Sequence, residues 1–481
     1  MFLGIDVGTS EVKTLLLNER HQIVGHASAA LKISRPHPGH SEQQPKDWWA
    51  ATQSALAALH ASHPQAYAAV QAIGLSGQMH GAVLLDNRNE VLRPAILWND
   101  TRASLECAQM MQELPTLPQL AGSLVMPGFT APKLRWLAKH EPTVFNRVAK
   151  VLLPKDYVRF MLTDDFVTDM SDASGTAWLD VERRDWSDVL LRLTGLTRQH
   201  MPRLVEGSQA SGVLRVSAAT QLGLRSGITV AGGGGDNAAS AVGMGAVDAG
   251  QGFLSLGTSG VLFLVTPSYM PNAASATHAF CHAVPDKWHQ MSVMLSAASC
   301  LQWATHLLGA ESEAAMQARA SALPLSERER APIFLPYLSG ERTPHNSACV
   351  RGSFHGLSHD TAAAHLAYSV MEGVTFGLRD GLRALQSAGC SAHRLSLVGG
   401  GARSAFWAQQ LSSSLNLEIV THGGSTAGGA LGAARLAWLA VGGDMAAVCT
   451  APEIDCVFTP DPSEQALLAP RYEQFRNLYR A

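Results

Sequence analysis

Apolar positions along the chain follow two spacings, one typical of helices and one typical of short strands. In 47–60 and 361–388 apolar residues recur every three or four positions, which predicts two helices, and Gly389 follows the second one. Short apolar runs such as 72–76 end in glycine-rich turns, a pattern typical of strands. The alternation of the two element types along the whole sequence predicts an α/β fold.

Three segments in the first half of the chain have counterparts, in the same order, in the second half. The first pair places Gly-Thr-Ser between two apolar runs, and the other two pairs each join a strand to a glycine-rich turn. Such repetition indicates two copies of one α/β unit. We therefore predict two domains, 1–245 and 246–481. The paired segments are 5–16 with 254–265, 70–81 with 393–404, and 228–246 with 417–435.

Composition excludes several classes of protein. Hydrophobic residues make up 46% of the 481 residues and charged residues only 16%, which excludes a disordered protein. Lysine and arginine number 36 against 39 acidic residues, and no basic stripe is visible, so a nucleic-acid partner is not expected. An anionic ligand must therefore be held by a local site.

The cysteines and the amino-terminal segment bear on location. Seven cysteines are scattered along the sequence without a CxxC pair, so neither a disulfide framework nor a structural zinc site is expected. The first residues carry no basic stretch and no cleavage site, and no segment resembles a membrane span. We expect a cytoplasmic protein that does not associate with membranes.

Two short turns are the first candidates for a nucleotide site, because the P-loop and the GxGxxG fingerprint are both absent. Each turn offers backbone N–H groups and hydroxyls to phosphate oxygens, and Asp6 precedes the first turn, where it can hold Mg²⁺. Ser255 replaces that acid in the second copy. One nucleotide between two domains requires such a pair of loops and one acid. The turns are Gly8, Thr9, Ser10 and Gly257, Thr258, Ser259.

Asp236 is the candidate base. It follows four glycines after an apolar strand and precedes a helix of small residues. A carboxylate at a helix N-terminus is stabilised as the anion, and the glycines allow the backbone to approach a ligand closely. Asp236 would take the proton from a substrate hydroxyl as that hydroxyl attacks the γ-phosphate of ATP.

A second group of candidates follows the strand 72–76, where α/β sheets expose their binding crevice. Gln78, Met79 and His80 occupy this position, and the His80 imidazole can exchange hydrogen bonds with sugar hydroxyls. Lys13 has two equally open interpretations, a phosphate contact or a solvated or ion-paired lysine.

Several longer segments resemble the FGGY family of carbohydrate kinases, and the resemblance runs from end to end. Two of them resemble the signatures of that family, and others extend the match. The segments are 128–137, 352–357 with 365–372, 40–43, 77–81, 97–100, 153–157, 171–176 and 338–345.

The resemblance implies two actin-like (ribonuclease H-like) ATPase domains around a central cleft, and transfer of phosphate from ATP, with Mg²⁺, to the 5-hydroxyl of D-xylulose. It makes Asp236 the catalytic base, Asp6 the acid near Mg²⁺ with Asp236 beside it, and Gln78, Met79 and His80 sugar contacts. A homodimer is also predicted. The nucleotide side would comprise Gly8, Thr9, Ser10, Lys13, Gly257, Thr258, Gly400, Gly401 and Ala402.

Two alternatives stay open at this point. One is another kinase of the same family, acting on ribulose, gluconate, fuculose or glycerol. The other is an actin-like ATPase module driven by nucleotide, although such a module does not need the segment 78–80. His278 and His282 have the spacing of helical metal ligands, but their neighbours indicate a strand or a loop.

Overall fold

The computed structural model describes residues 1–423 and 428–479. Strands and helices alternate through both halves, which confirms the predicted α/β class. The glycine turn predicted inside the segment 417–435 includes 424–427 and so lies outside the described residues.

The first half of the chain builds a seven-stranded sheet. Its strands are β1 (Phe2–Val7), β2 (Glu11–Leu17), β3 (Ile23–Ala30), β4 (Ala72–Gly77), β5 (Ala210–Val213), β6 (Thr229–Ala231) and β7 (Gly234–Gly235). They lie in the order β5-β6-β4-β1-β2-β3, and β7 pairs with β4. Because β1, β4 and β7 run parallel, their carboxyl ends meet at one edge of the sheet.

The second half builds another seven-stranded sheet. Its strands are β8 (Gly252–Leu256), β9 (Gly260–Thr266), β10 (His278–Cys281), β11 (Trp288–Met294), β12 (Arg394–Val398), β13 (Glu418–His422) and β14 (Ile454–Phe458). They lie in the order β10-β11-β9-β8-β12-β13-β14. In both sheets an antiparallel hairpin is followed by strands parallel to its first strand, so the predicted repeat is confirmed.

Five further pairs of short strands lie outside the two large sheets. The pairs are Glu42–Gln43 with Ala95–Ile96, Val83–Leu85 with Lys150–Leu152, Val167–Asp169 with Arg203–Val205, Leu179–Asp180 with Asp185–Trp186, and Ile333–Leu335 with Ser353–His355.

Helices cover the faces of both sheets. Those of the first half are α1 (Pro45–Ser62), α2 (Pro64–Ala68), α3 (Ser104–Glu113), α4 (Leu117–Ala121), α5 (Thr130–His140), α6 (Pro142–Phe145), α7 (Pro154–Thr163), α8 (Met170–Ser174), α9 (Asp188–Arg192), α10 (Val216–Leu222) and α11 (Asp236–Gly243). Those of the second half are α12 (Ala298–Leu307), α13 (Glu313–Ser321), α14 (Leu325–Arg330), α15 (Ala363–Ser387), α16 (Ala405–Leu415), α17 (Gly428–Ala440), α18 (Met445–Val448) and α19 (Pro462–Leu478). Short 3₁₀ turns occupy Arg198–His200, Ala273–Ser275 and Gly400–Arg403.

The two helices predicted from periodicity are present as α1 and α15. α1 begins at Pro45, whose missing N–H suits a first helical turn, and it buries one apolar face that includes Trp48, Leu56 and Leu59. α15 runs through the core of the second half and buries almost every residue from Ala367 to Leu385.

Helices α11 and α17 form one close contact between the two halves. A Cβ atom added to Gly432 in α17 would lie 1.7 Å from the carbonyl oxygen of Ala239 in α11. A Cβ atom added to Gly4 in β1 would lie 2.0 Å from the carbonyl oxygen of Ala430. α17 is therefore packed against both the first sheet and α11 at distances that only glycine permits.

No helix within 1–423 or 428–479 combines the length and the apolar character needed to span a membrane.

Candidate active site

The carboxyl ends of β1, β4 and β7 bring the main candidates of the first half together. Asp6 pairs in register with Ser76, and Ser76 pairs with Gly234, two residues before Asp236. Gln78 follows β4 directly, and its N–H donates to the Val7 carbonyl at 2.9 Å. Segments far apart in the sequence therefore converge on one edge because their strands are parallel neighbours.

The first Gly-Thr-Ser turn is held by the side chain of Gln78. Its Nε2 donates to the Gly8 carbonyl at 3.3 Å and to Gln43 Oε1 at 3.0 Å, and its Oε1 accepts from Thr9 Oγ1 at 3.1 Å. Trp98 Nε1 also donates to Thr9 Oγ1, at 3.0 Å. The Gln78 amide thus fixes the turn, while its predicted contact with sugar stays a prediction.

Lys13 lies on β2, opposite Asp6 in register. Its side chain is 55% exposed, and its Nζ lies 3.3 Å from the Glu11 carboxylate. The ion pair at the surface matches one of the two interpretations of Lys13, and the phosphate contact stays a prediction.

Asp236 is the first residue of α11, directly after β7. Its Oδ1 accepts from the N–H of Asn237 at 2.7 Å and from Asn237 Nδ2 at 3.0 Å. Burial, together with the nearby carboxylate of Asp6, raises the pKa of Asp236 to about 6. A carboxylate with a pKa near neutrality is suited to accept a proton from a hydroxyl in the transition state.

Asp6 is the second carboxylate of this edge. Burial raises the pKa of Asp6 above its ordinary value, and its Oδ1 has no hydrogen-bond partner among the described residues. A Cβ atom added to Gly429, at the start of α17, would lie 2.8 Å from the same oxygen. An unsatisfied buried carboxylate oxygen beside a second carboxylate fits a divalent cation.

Met79 connects the predicted sugar contacts, residues 78–80, to the candidate base. It is buried, and a Cβ atom added to Gly235 would lie 2.9 Å from its sulfur. Because Gly235 immediately precedes Asp236, this contact places the loop 78–80 next to the candidate base.

His80 is held in a single orientation as a neutral imidazole. Its ring stacks on Phe129 with centroids 4.5 Å apart, and its Nδ1 lies 2.6 Å from the Gly175 carbonyl. Burial lowers the pKa of His80 to about 3. Nδ1 must therefore carry the proton that bonds to Gly175, which leaves Nε2 as an acceptor for a ligand hydroxyl.

Two residues that were not identified from the sequence hold the backbone of His80, which has a left-handed φ of 69°. Thr130 Oγ1 and Lys133 Nζ donate to the His80 carbonyl at 3.1 and 2.9 Å. Lys133 is fully buried, also donates to the Ile96 carbonyl at 3.1 Å, and has a pKa lowered well below its usual value by burial. Both residues lie in the segment 128–137, and its resemblance to an FGGY signature is the sequence feature that could have identified them.

The second Gly-Thr-Ser turn joins β8 to β9, as predicted. The Gly257 N–H donates to the Ser259 carbonyl at 3.1 Å, and the Thr258 carbonyl accepts from the Ala297 N–H at 2.9 Å and from Ser299 Oγ at 2.8 Å. The turn is therefore fixed to the N-terminal end of α12.

A cavity of about 520 Å³ opens beside this turn. It joins Gly257 and Thr258 to Gly400 and Gly401, so four of the five nucleotide candidates of the second half share one space. Ala402 packs against the apolar core instead of lining the cavity. Polar residues that the sequence did not identify also line it, namely Ser299, Gln302, Glu313, Gln317 and Arg403.

A buried charged cluster is joined to the residue before the candidate base through Ser171. Lys155 Nζ contacts Asp156 Oδ1 at 2.6 Å, Asp169 Oδ1 at 2.8 Å and Asp172 Oδ2 at 3.0 Å. Ser171 Oγ donates to Asp169 Oδ2 at 2.5 Å.

The same hydroxyl of Ser171 accepts from the N–H of Gly235 at 3.0 Å. The cluster therefore fixes the residue before Asp236, through contacts that no local sequence pattern predicts.

His278 lies on β10 and His282 follows it, so the predicted strand is confirmed. His278 Nδ1 lies 2.8 Å from Ser123 Oγ, and His282 Nε2 lies 3.0 Å from the Ala246 carbonyl. Within the described residues, no group of three or more His, Cys, Asp or Glu side chains is arranged to hold a metal ion.

Comparison with known proteins gives matches over nearly the whole chain. The N-terminal domain of the FGGY family of carbohydrate kinases matches residues 1–243, and the C-terminal domain of that family matches 252–441. The predicted boundary at 245 falls between the two ranges and stays a prediction.

The chain is 48% identical to a xylulose kinase of Escherichia coli (strain K12), over 100% of this chain and 99% of that one. The crystal structure of a xyloylose kinase from Brucella ovis has a TM-score of 0.96 and 48% identity, covering 99% of this chain and 98% of that one. A gluconate kinase from Lactobacillus acidophilus has a TM-score of 0.93 but only 26% identity, covering 99% and 96%. The predicted two-domain fold is confirmed.

Proposed function

Because the chain belongs to the FGGY family of carbohydrate kinases, we propose that it transfers the γ-phosphate of ATP to the 5-hydroxyl of D-xylulose, producing D-xylulose 5-phosphate. The identity of 48% to a xylulose kinase over the full length supports this sugar ahead of gluconate, for which the related structure is 26% identical.

One observation carries the chemical proposal: Asp236, with a pKa of about 6, lies against the loop that contains Met79 and His80. A sugar hydroxyl placed between them loses its proton to Asp236 as its oxygen attacks the γ-phosphorus. His80 Nε2 accepts a hydrogen bond from another hydroxyl of the sugar, which orients the carbon backbone of the sugar.

The nucleotide is assigned to the cavity beside Thr258. The glycine-rich turns at 257–259 and 399–401 border this cavity. The Gly257 N–H is used within its own turn, and the remaining N–H groups of the two turns would donate to phosphate oxygens, as such turns do in other phosphate sites. Gly8 and Thr9 approach the same phosphates from the first half. The polar residues Gln302 and Gln317 border the remaining space for the base and ribose.

Mg²⁺ would be held on the carboxylate of Asp6, whose Oδ1 is buried without a partner among the described residues, with Asp236 as the neighbouring charge. The ion, when bound, offsets negative charge on the phosphates. The residues of this edge therefore fit the cation.

All seven cysteines are free, which fits a reducing cytoplasm. The homodimer stays a prediction.

A panel of pentuloses, hexuloses and polyols, assayed by coupled release of ADP, tests the proposal. D-xylulose should give the highest kcat/KM, and hydrolysis of ATP without sugar should be slow, unlike in an ATPase module. Asp236→Asn should lower kcat by roughly 10²–10⁴ while both ligands still bind.

Asp248→Asn is the matched control, because Asp248 is an exposed aspartate near α11. Near-normal turnover of Asp236→Asn would remove Asp236 from the mechanism, and preference for another sugar would replace D-xylulose.

A further inference from the structure

The glycine run 232–235 is an unusual support for a base that must be placed accurately. Within the proposed function, Asp236 takes a proton from a sugar hydroxyl only if its carboxylate stands at the correct distance from that hydroxyl. A misplacement of about 1 Å can lower turnover a hundredfold. Glycine has the greatest backbone freedom of all residues, so the run that leads to Asp236 must be held by groups outside it.

Other segments of the first half supply these groups. The N–H groups of Gly232 and Gly233 donate to backbone carbonyls at 2.9 and 3.0 Å. The N–H of Gly235, the residue joined to the base, donates instead to a side chain, Ser171 Oγ, at 3.0 Å. Gly235 is buried and Ser171 is 0% exposed. Solvent therefore does not replace this acceptor if the hydroxyl is removed.

The hydroxyl of Ser171 has a fixed orientation, because its own proton is engaged. It donates to Asp169 Oδ2 at 2.5 Å, and the same carboxylate oxygen accepts from the N–H of Ser171 at 2.8 Å. The other oxygen, Asp169 Oδ1, lies 2.8 Å from Lys155 Nζ. With its proton directed at Asp169, the hydroxyl is left with lone pairs for Gly235 and acts there only as an acceptor.

The helix that carries Ser171, α8, also holds the predicted sugar contact. The carbonyl of Gly175, the residue after α8, accepts from His80 Nδ1 at 2.6 Å. A Cβ atom added to Gly175 would lie 2.6 Å from the His80 ring, so the helix end and the imidazole are in direct contact. One end of α8 thus bonds to the residue before the base and the other end to His80, and the helix sets the separation of the two segments.

We propose that Ser171 is a positioning residue for phosphoryl transfer, whose hydroxyl fixes Gly235 so that α8 aligns the Asp236 carboxylate with a sugar hydroxyl held at His80. Ser171 acts only through Asp236. Loss of its hydroxyl leaves the buried N–H of Gly235 without an acceptor, and the glycine run is then free to shift. Turnover should fall, while the loop 78–80 and the nucleotide turns keep their ligand contacts.

Ser171→Ala tests this role in steady-state kinetics. We expect kcat with D-xylulose to fall about 10- to 100-fold, the effect of a misplaced reacting group. The KM values for D-xylulose and ATP should each change less than about threefold.

Ser174→Ala is the matched control, because Ser174 is equally buried on α8 and its hydroxyl also accepts from a backbone N–H, that of Cys281 at 3.1 Å. This variant should lower Tm by a comparable amount and leave kcat within about threefold of the parent.

A double-mutant cycle separates positioning of the base from general destabilisation. Because Ser171 acts through Asp236, Ser171→Ala should lower the single-turnover rate less than about twofold in an Asp236→Asn background. An equal fold loss in both backgrounds, or a normal kcat for Ser171→Ala, would overturn the role of Ser171. Ser171→Cys, whose thiol is a weak acceptor of similar shape, should show the same loss and serves if the alanine variant does not fold.

Failure of the proposed function would be recognised separately. Near-normal turnover of Asp236→Asn alone would overturn the assignment of the base. Failure of the parent protein on D-xylulose would overturn the substrate. The expected loss for Asp236→Asn together with an unaffected Ser171→Ala would overturn the positioning role and leave the proposed function intact.

Discussion

Lys155 should be essential for the stability of the first half, because it is the cation of a buried cluster with three carboxylates. Its Nζ lies within 3.0 Å of Asp156, Asp169 and Asp172, and none of these side chains is more than 1% exposed. Lys155→Met keeps the length of the side chain but leaves the carboxylates without a positive partner in a medium of low dielectric constant. Breaking a buried ion pair in this way costs about 3–5 kcal/mol.

The loss can be measured as a shift in the thermal unfolding midpoint. For a unit of this size, each kcal/mol lowers Tm by about 2–4 °C, so Lys155→Met should lower Tm by about 6 to 20 °C at pH 8. Lys46→Met is the matched control, because Lys46 is exposed on α1 and takes part in no ion pair among the described residues. Its Tm should equal that of the parent.

The lowering of Tm by Lys155→Met should also depend on pH. Burial already raises the pKa of Asp172 well above its usual value while Lys155 is present, and removing the lysine raises it further. A carboxyl that binds its proton more tightly in the folded state stabilises the fold at low pH and loses that stabilisation as pH rises. The difference in Tm between Lys155→Met and the parent should therefore become smaller from pH 8 to pH 5. A Tm difference below about 6 °C at pH 8, or one that does not change with pH, would show that Lys155 does not stabilise the buried carboxylates as proposed.

Two further predictions concern the two ligand sites. Lys133→Met removes a donor from the His80 carbonyl, so KM for the sugar should rise roughly tenfold in steady-state kinetics while KM for ATP is unchanged; equal effects on both would indicate a general folding defect. Asp6→Asn should raise the Mg²⁺ concentration for half-maximal rate roughly tenfold, and a titration that overlays that of the parent would remove Asp6 from the metal site.

Local patterns in the sequence were sufficient for the elements that local geometry determines. The two Gly-Thr-Ser turns between strands, the strand before Gln78 and the glycine run before Asp236 all lie where they were predicted. The resemblance to the FGGY family is confirmed by both of its domains. These features depend on residues close together in the sequence, so their signals are visible without a structure.

Contacts between distant segments could not be predicted in the same way. The bond from Gln78 to Gln43, the hold of Lys133 on His80, and the cluster around Lys155 join residues separated by many positions. Each is a polar group in a segment that otherwise has the composition of an ordinary loop or helix, and its role depends on which segment packs opposite.

Movement between the halves is constrained by the helices that carry the site. α11 begins at Asp236, and its residues Ala238 and Val242 pack with Ala283 of the second half, while α17 lies on the first sheet with Gly429 beside Asp6. Each helix therefore belongs to one half by sequence and contacts the other half by packing. Because Gly432 touches the backbone of α11 without a side chain between them, the two helices cannot change their separation without losing this close packing. Any rotation of one half against the other would therefore displace the surroundings of Asp6 and Asp236, the two carboxylates that phosphoryl transfer requires.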